Sequence, residues 1–381
     1  MTVQDKELVP GLAGIPAAES SISYIDGQAG ILEYRGHRIE TLAEKSNFEE
    51  TCWLLLYGSL PTRAELDGFR KQLSGYRALS PVTVDVLGRL PKHGHPMAAL
   101  QAGFALLGME SPDIDVHDRA QREDACLRLI AAAPTLVAAY ARSRAGKAFV
   151  APDPQLDTAA NFLYMLNGEK PDELSAHVLD VCLLLHADHT MNASTFAARV
   201  VASTEADPYS VCAAASGALK GPLHGGANER VLQQLEVIGS AGAVPAWLDK
   251  VTAEKGKIMG FGHRVYKTKD PRAKKLQVLV REVREKLGST PVYDTALALE
   301  DAVVAKLGGK GIHPNVDFFS GIVYEKLGIP TDFFTPIFAI ARVSGWLAHW
   351  CEQMEDNKLF RPAQIFTGSH DAVYVEIDKR G

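Results

Sequence analysis

Two histidines stand among glycines, and their setting suits carbonyl chemistry. His224 lies in Lys220-Gly221-Pro222-Leu223-His224-Gly225-Gly226-Ala227-Asn228. Glycines let a backbone come close to a ligand, and Asn228-Glu229-Arg230 reads as the opening of a helix. Beside a helix N-terminus the cationic imidazole is disfavoured, so a neutral ring can donate a hydrogen bond to a carbonyl oxygen. Taken alone, the loop reads more simply as a tight turn whose histidine is incidental. His263 sits in Gly260-Phe261-Gly262-His263-Arg264-Val265-Tyr266-Lys267-Thr268-Lys269-Asp270-Pro271-Arg272. Exposed amides with nearby Lys and Arg make an anion or phosphate site. The run fits neither GxGxxG nor GxxxxGK[ST], so dinucleotide-fold and P-loop readings fail.

Two further residues have unusual neighbours. Asp317, between Pro314-Asn315-Val316 and Phe318-Phe319, is an isolated carboxylate among apolar residues. Such an Asp is commonly an N-cap; burial against aromatics would instead raise its proton affinity and suit it to general-base work. Arg342 interrupts an apolar stripe after Ile337-Phe338-Ala339-Ile340-Ala341, where an arginine needs an anionic partner. Arg361, in Phe360-Arg361-Pro362, reads as a surface charge. His93-Gly94-His95 and His186-Ala187-Asp188-His189 have metal-like spacing, the second pair on one face at a helix end. No HExxH, CxxC or carboxylate triad completes either set, so no metal is expected. His93, His95 and His186 read as surface or satisfied core histidines.

The elements that must position these residues are mostly helical. Ser21-Ile22-Ser23-Tyr24, a turn at Asp26-Gly27, and Ile31-Leu32-Glu33-Tyr34 predict one short hairpin. Beyond it, Leu174, Val178, Val181 and Leu185 follow the acidic opening Pro171-Asp172-Glu173 at helical spacing. Leu299, Val303 and Leu307 form a stripe that Gly308-Gly309 ends, and Val343, Trp346, Leu347, Trp350 and Met354 form another. Glycine-rich boundaries at Ser216-Gly217 through Gly225-Gly226 and at Gly328-Ile329-Pro330 bracket a segment of small-domain size and permit hinge motion.

With 381 residues, a prior of about 150 per domain suggests two domains or one large one. Hydrophobic residues make up 46% and charged residues 23%, which excludes wholesale disorder. The net charge of -6 argues against duplex nucleic acid or an anionic membrane surface as partner. The odd, scattered cysteines Cys52, Cys126, Cys182, Cys212 and Cys351 predict free thiols in a reducing compartment. The opening MTVQDKELVPGLAG shows no apolar signal region. Leu129 to Ala141, interrupted by Pro134, reads as too short for a membrane span. A cytoplasmic location is expected.

These motifs together resemble the citrate synthase family. Gly260 to Arg272 looks like its signature. Gly221 to Ala227, Pro314-Asn315-Val316-Asp317-Phe318, Ala341-Arg342-Val343-Ser344-Gly345-Trp346, Arg361-Pro362 and the early Tyr34-Arg35-Gly36 follow in family order over nearly the whole chain. The resemblance implies a mainly α, two-domain helical fold with a short N-terminal β segment. Its large dimer-forming domain would be 1–218 with 331–381, and its small CoA-binding domain 219–330. It implies condensation of acetyl-CoA with oxaloacetate and water, with CoA a cosubstrate and no cofactor held permanently.

By the same resemblance, Asp317 is the base, His224 stabilises the enol or enolate, and His263 polarises the ketone and protonates the alkoxide. His189, Arg272, Arg342 and Arg361 take the substrate carboxylates, Arg361 from a neighbouring subunit of a homodimer. CoA lies against Ile258, Met259, Gly260, Phe261 and Gly262, with Lys267 and Lys310 near its phosphates. Animal members have arginine where this chain has Lys267. Two other functions compete: a 2-methylcitrate synthase acting on propionyl-CoA, and a catalytically silent helical CoA-binding or scaffold protein.

Overall fold

The computed structural model describes residues 8–111, 113–263, 265–266 and 268–381. Lys267 lies outside them. Strands β1 (Ser23–Asp26), β2 (Ile31–Tyr34) and β3 (His37–Arg38) form an antiparallel meander, with Ser23 opposite Tyr34 and Asp26 opposite Ile31. The hairpin matches the expectation; β3, only two residues long, left no periodic signal.

Sixteen α-helices follow among the described residues. They are α1 (Ile39–Lys45), α2 (Phe48–Tyr57), α3 (Arg63–Tyr76), α4 (Pro81–Arg89), α5 (Pro96–Glu110), α6 (Arg119–Arg144), α7 (Thr158–Asn167) and α8 (Glu173–His186). Then come α9 (Ala193–Ala202), α10 (Pro208–Leu219), α11 (Ala227–Ile238), α12 (Val244–Ala253), α13 (Pro271–Leu287), α14 (Pro291–Leu307), α15 (Val316–Lys326) and α16 (Phe334–Glu355).

Their starts are written in short polar residues whose side chains accept otherwise unpaired N–H groups. Thr62 and Glu65 make a reciprocal capping box on α3. Asp172 accepts from Ser175 N and opens α8, and Asn192 accepts from Ser194 N and Thr195 N at α9. Proline at the first turn opens α4, α5, α10, α13 and α14, where its missing N–H costs nothing.

Two long helices organise the interior. In α16 every residue from Phe334 to Trp350 is buried, and Met354, the last residue of the predicted stripe, is buried as well. α6 packs against α3, α4, α5, α7, α10 and α16. It runs for 26 residues straight through Pro134, the proline that interrupts the apolar run from Leu129 to Ala141. Proline removes one intrahelical bond, and packing on every side holds the helix together regardless. By length and composition α6 could cross a membrane, but 89% of its apolar window is buried inside the protein, which is the environment of a core helix.

Helices α11 to α15 pack largely on one another. They meet the rest through α1 and α8 against α13, α8 against α15, and α16 against α11. Within the glycine-rich stretch from Ser216 to Gly226, Ser216-Gly217 is helical and α10 ends at Leu219; Gly328, at φ +73, lies just beyond α15. All five cysteines are free thiols, four buried and Cys351 half-buried.

Candidate active site

A short backbone zipper brings two of the candidate residues together. Phe261 pairs with Pro314 in an isolated antiparallel bridge. Gly262 N donates to His313 O at 2.9 Å and Asn315 N to Gly260 O at 2.9 Å. Asn315 Nδ2 adds a bond to Gly262 O at 3.0 Å. The signature loop is thereby tied to the start of α15, next to Asp317. Gly260 is obligatory here. Its φ is +79, and a Cβ would lie 2.9 Å from Phe318 and from Val231, a double conflict for any other residue.

Asp317 is in the first turn of α15, while Asn315 is the N-cap and accepts from Asp317 N at 3.0 Å. The capping role considered for Asp317 therefore belongs to its neighbour, leaving the carboxylate free. Burial raises its pKa to about 6 against the opposing pull of Arg272 and Arg342. At neutral pH it is an ionised carboxylate with unusual affinity for a proton.

His263 Nδ1 accepts from Val265 N at 3.0 Å and Tyr266 N at 3.2 Å. Backbone amides only donate, so the proton of the neutral ring is on Nε2. His224 Nε2 lies 2.9 Å from Ser194 Oγ and 3.1 Å from Asn192 Oδ1. Trp346 Nε1 donates to the same Ser194 oxygen at 3.1 Å. The pKa of His224 falls to about 4. Burial is the main cause and Arg342 the second; the helix terminus expected to do this is not needed.

The cations meet beneath these rings. Arg342 is 1% exposed. Its Nε donates to His186 O at 2.8 Å and its guanidinium lies 4.7 Å from the Phe338 ring centre, yet neither Nη1 nor Nη2 has a hydrogen-bond partner. Burial lowers its pKa to about 10, partly offset by Asp188. Arg272 is already paired: Nε and Nη2 donate to the two carboxylate oxygens of Asp270 at 3.1 and 2.8 Å. Burial opposes its charge, but Asp270, Tyr266 and Tyr34 together outweigh burial and push the pKa up.

His189 packs edge-on against His263, with ring centres 5.5 Å apart, and its Nε2 is buried without a partner. Burial, then Arg272, His263 and Arg342, hold its pKa well below the ordinary value. It sits beyond the end of α8, so the single helical face imagined for His186 and His189 does not exist. His186 instead bonds Cys182 O through Nδ1 at 2.7 Å.

Asp188 anchors this corner. Tyr34 Oη donates to its carbonyl oxygen at 2.9 Å, Thr190 N donates to Oδ2 at 3.1 Å, and His349 Nε2 lies 3.3 Å from Oδ1. Gly345 leaves it room, since a Cβ there would meet Ala187 O at 2.3 Å.

The structure thus gathers His189, His224, His263, Arg272, Asp317 and Arg342 into one electrostatic neighbourhood. Lys310 is exposed in a turn after α14, and Arg361 is exposed on the segment after α16; neither contributes to these contacts. Met259 is held through Gln234, which accepts from Met259 N at 2.7 Å. Asn192, Ser194, Asp188, Asp270 and Phe338 escaped the sequence reading. Asn192 was visible as an N-cap, and nothing local announced its second contact. No cluster able to hold a metal occurs among the described residues.

A nearly neutral-pKa carboxylate, neutral imidazoles and a bare buried guanidinium can together move a proton off carbon while holding a carboxylate substrate. An α-helical enzyme of carbon–carbon bond formation fits this description, and comparison with known proteins narrows it. The profile of the family described as "Citrate synthase, C-terminal domain" matches residues 11–363. A citrate synthase of a Synechocystis species is 51% identical over 380 residues, covering 100% of this chain and 96% of the relative. That of Acidithiobacillus ferridurans is 46% identical, covering 99% of each. Among solved structures, a citrate synthase of Thermoplasma acidophilum, in ternary complex with carboxymethyl coenzyme A and oxaloacetate, superposes with a TM-score of 0.93. It is 34% identical and covers 98% of this chain and 100% of that one. The chain belongs to the citrate synthase family.

Proposed function

We propose that this chain condenses acetyl-CoA with oxaloacetate through the site just described, releasing citrate and CoA. The observation that carries the assignment of roles is the bare guanidinium of Arg342. Burying a cation without a partner costs several kcal/mol, and a dianionic substrate supplies the missing acceptors. Arg272 and His189 complete the oxaloacetate cradle, Arg272 while still sharing Asp270.

The carboxylate of Asp317 removes a methyl proton from acetyl-CoA. His224, a neutral ring held at Nε2 by Ser194 and Asn192, hydrogen-bonds the thioester oxygen and stabilises the enol or enolate. The enol carbon attacks the ketone of oxaloacetate, and His263 Nε2–H donates to the developing alkoxide. Base and carbonyl polarisation must act together because the methyl proton is weakly acidic. Water then hydrolyses citryl-CoA.

In this reading residues 219–330 form the small domain, which carries CoA along Ile258 to Gly262, with Lys267 and Lys310 toward its phosphates. Residues 1–218 and 331–381 form the large domain. Arg361 serves the partner's site in a homodimer, for which its exposure leaves it available. No permanent cofactor is required, and the enzyme works in the cytoplasm. The Thermoplasma relative holds a CoA analogue and oxaloacetate together, which supports this pair of substrates. The relatives named above are citrate synthases, so propionyl-CoA is not the favoured substrate. The test is release of free CoA thiol from oxaloacetate with either thioester. Faster turnover of acetyl-CoA is expected; a strong preference for propionyl-CoA, or no thiol release at all, would refute the assignment.

A further inference from the structure

Four buried polar atoms without partners lie in the candidate site: His189 Nε2 and both terminal nitrogens of Arg342 are joined there by the hydroxyl of Tyr266. Tyr266 is 2% exposed. Its ring lies 4.7 Å from that of His263 and 5.8 Å from that of His189, centre to centre, and its backbone N–H holds His263 Nδ1. The side chain is therefore packed directly on two rings of the site. The charged and titratable groups acting on the hydroxyl are Arg272, the strongest, then Asp270, Tyr34 and Glu40.

Leaving a hydroxyl buried and unpaired is unfavourable, and phenylalanine would fill the same space without that penalty. Tyr34 and Asp270 are already engaged, with Asp188 and Arg272 respectively. Glu40 Oε2, also without a hydrogen bond, lies 3.6 Å from Arg38 Nε and is a competing acceptor. We infer that Tyr266 is a further substrate-binding residue, whose hydroxyl donates to a carboxylate oxygen of the 2-oxo dicarboxylate held by Arg272 and Arg342. A neutral donor adds a directed bond to a site whose charge already comes from guanidiniums. The inference rests on the condensation reading and extends its substrate contacts.

Tyr266→Phe tests it, because the ring that supports both histidines stays. Oxaloacetate affinity is measured by titration calorimetry on the full-length protein, alongside the ligand-free Tm. The expected result is a Kd raised about 10- to 100-fold, the range for a hydrogen bond to a charged acceptor. The ligand-free Tm should be equal to or above that of the unaltered protein, because an unpaired hydroxyl has been removed. A Kd within twofold of the unaltered protein would overturn the inference. So would a fall in ligand-free Tm, which would assign the hydroxyl a structural bond such as one to Glu40. If the unaltered protein failed to bind oxaloacetate, the proposed function would fall, and this contact with it. Tight binding by the unaltered protein with no loss in Tyr266→Phe would remove this contact alone.

Discussion

Asp317→Asn separates the chemical role of that carboxylate from its effect on stability. A carboxylate pushed to about 6 from an ordinary 3.8 makes the ionised folded state less favourable than its unfolded counterpart. Each pKa step is worth about 1.36 kcal/mol, so the ceiling is about 3 kcal/mol at neutral pH. Asp317 is only partly buried, which places the true figure below that ceiling. The sign is set by the raised pKa: the folded protein binds this proton more tightly, so stability from this group is present at low pH and is lost as pH rises from about 4 to about 6. Asparagine carries no charge and escapes the loss.

The assay is ligand-free unfolding of both proteins between pH 4 and pH 8, paired with steady-state rates. The advantage of Asn over Asp should grow with pH and level off above about pH 6.5. Taking the difference between the two proteins cancels other carboxylates, notably Asp180, which burial raises to about 7. Turnover should fall by about 10²- to 10⁴-fold at every pH, the usual contribution of a general base. The unaltered enzyme should lose kcat/KM about tenfold per pH unit on the acid side of about pH 6. A pH-independent stability difference would refute the raised pKa. Turnover within tenfold of normal would remove Asp317 as the base.

Other perturbations address neighbouring parts of the site. Arg342→Met replaces a buried guanidinium with an apolar chain of similar reach; ligand-free Tm should hold or rise, while oxaloacetate Kd by calorimetry rises at least about 100-fold. Gly260→Ala places a methyl 2.9 Å from Phe318 and Val231 at a φ of +79. About 2 kcal/mol or more should be lost in denaturant unfolding, together with CoA affinity. Mixing separately inactive Arg361→Ala and Asp317→Asn proteins should restore partial activity after subunit exchange; no recovery with exchange verified by mass spectrometry would exclude an arginine acting across the dimer.

What the sequence disclosed depended on how locally each feature is determined. Helix starts such as Asp172 before α8 and Thr62 before α3 are satisfied within three residues, so they are readable in one dimension. Pro134 does not end α6 because its local cost is overruled by six surrounding helices, a term no window around the proline contains. The same division runs through the site. Asn315 and Asp317 both suit a helix terminus by composition, and only the zipper from Gly260 to Asn315 decides which one caps and which stays free. Arg342 shows the division most clearly. An arginine in an apolar stripe demands an anion, but sequence cannot say whether a side chain or a ligand provides it. In the folded chain Asp188 is spoken for by Thr190 and faced by His349, and Asp270 by Arg272, leaving both outer nitrogens of Arg342 unpaired. The fold thus engages Asp188 and Asp270 elsewhere and leaves Asp317 for the proton, so the requirement for an anion passes from the protein to the molecule it binds.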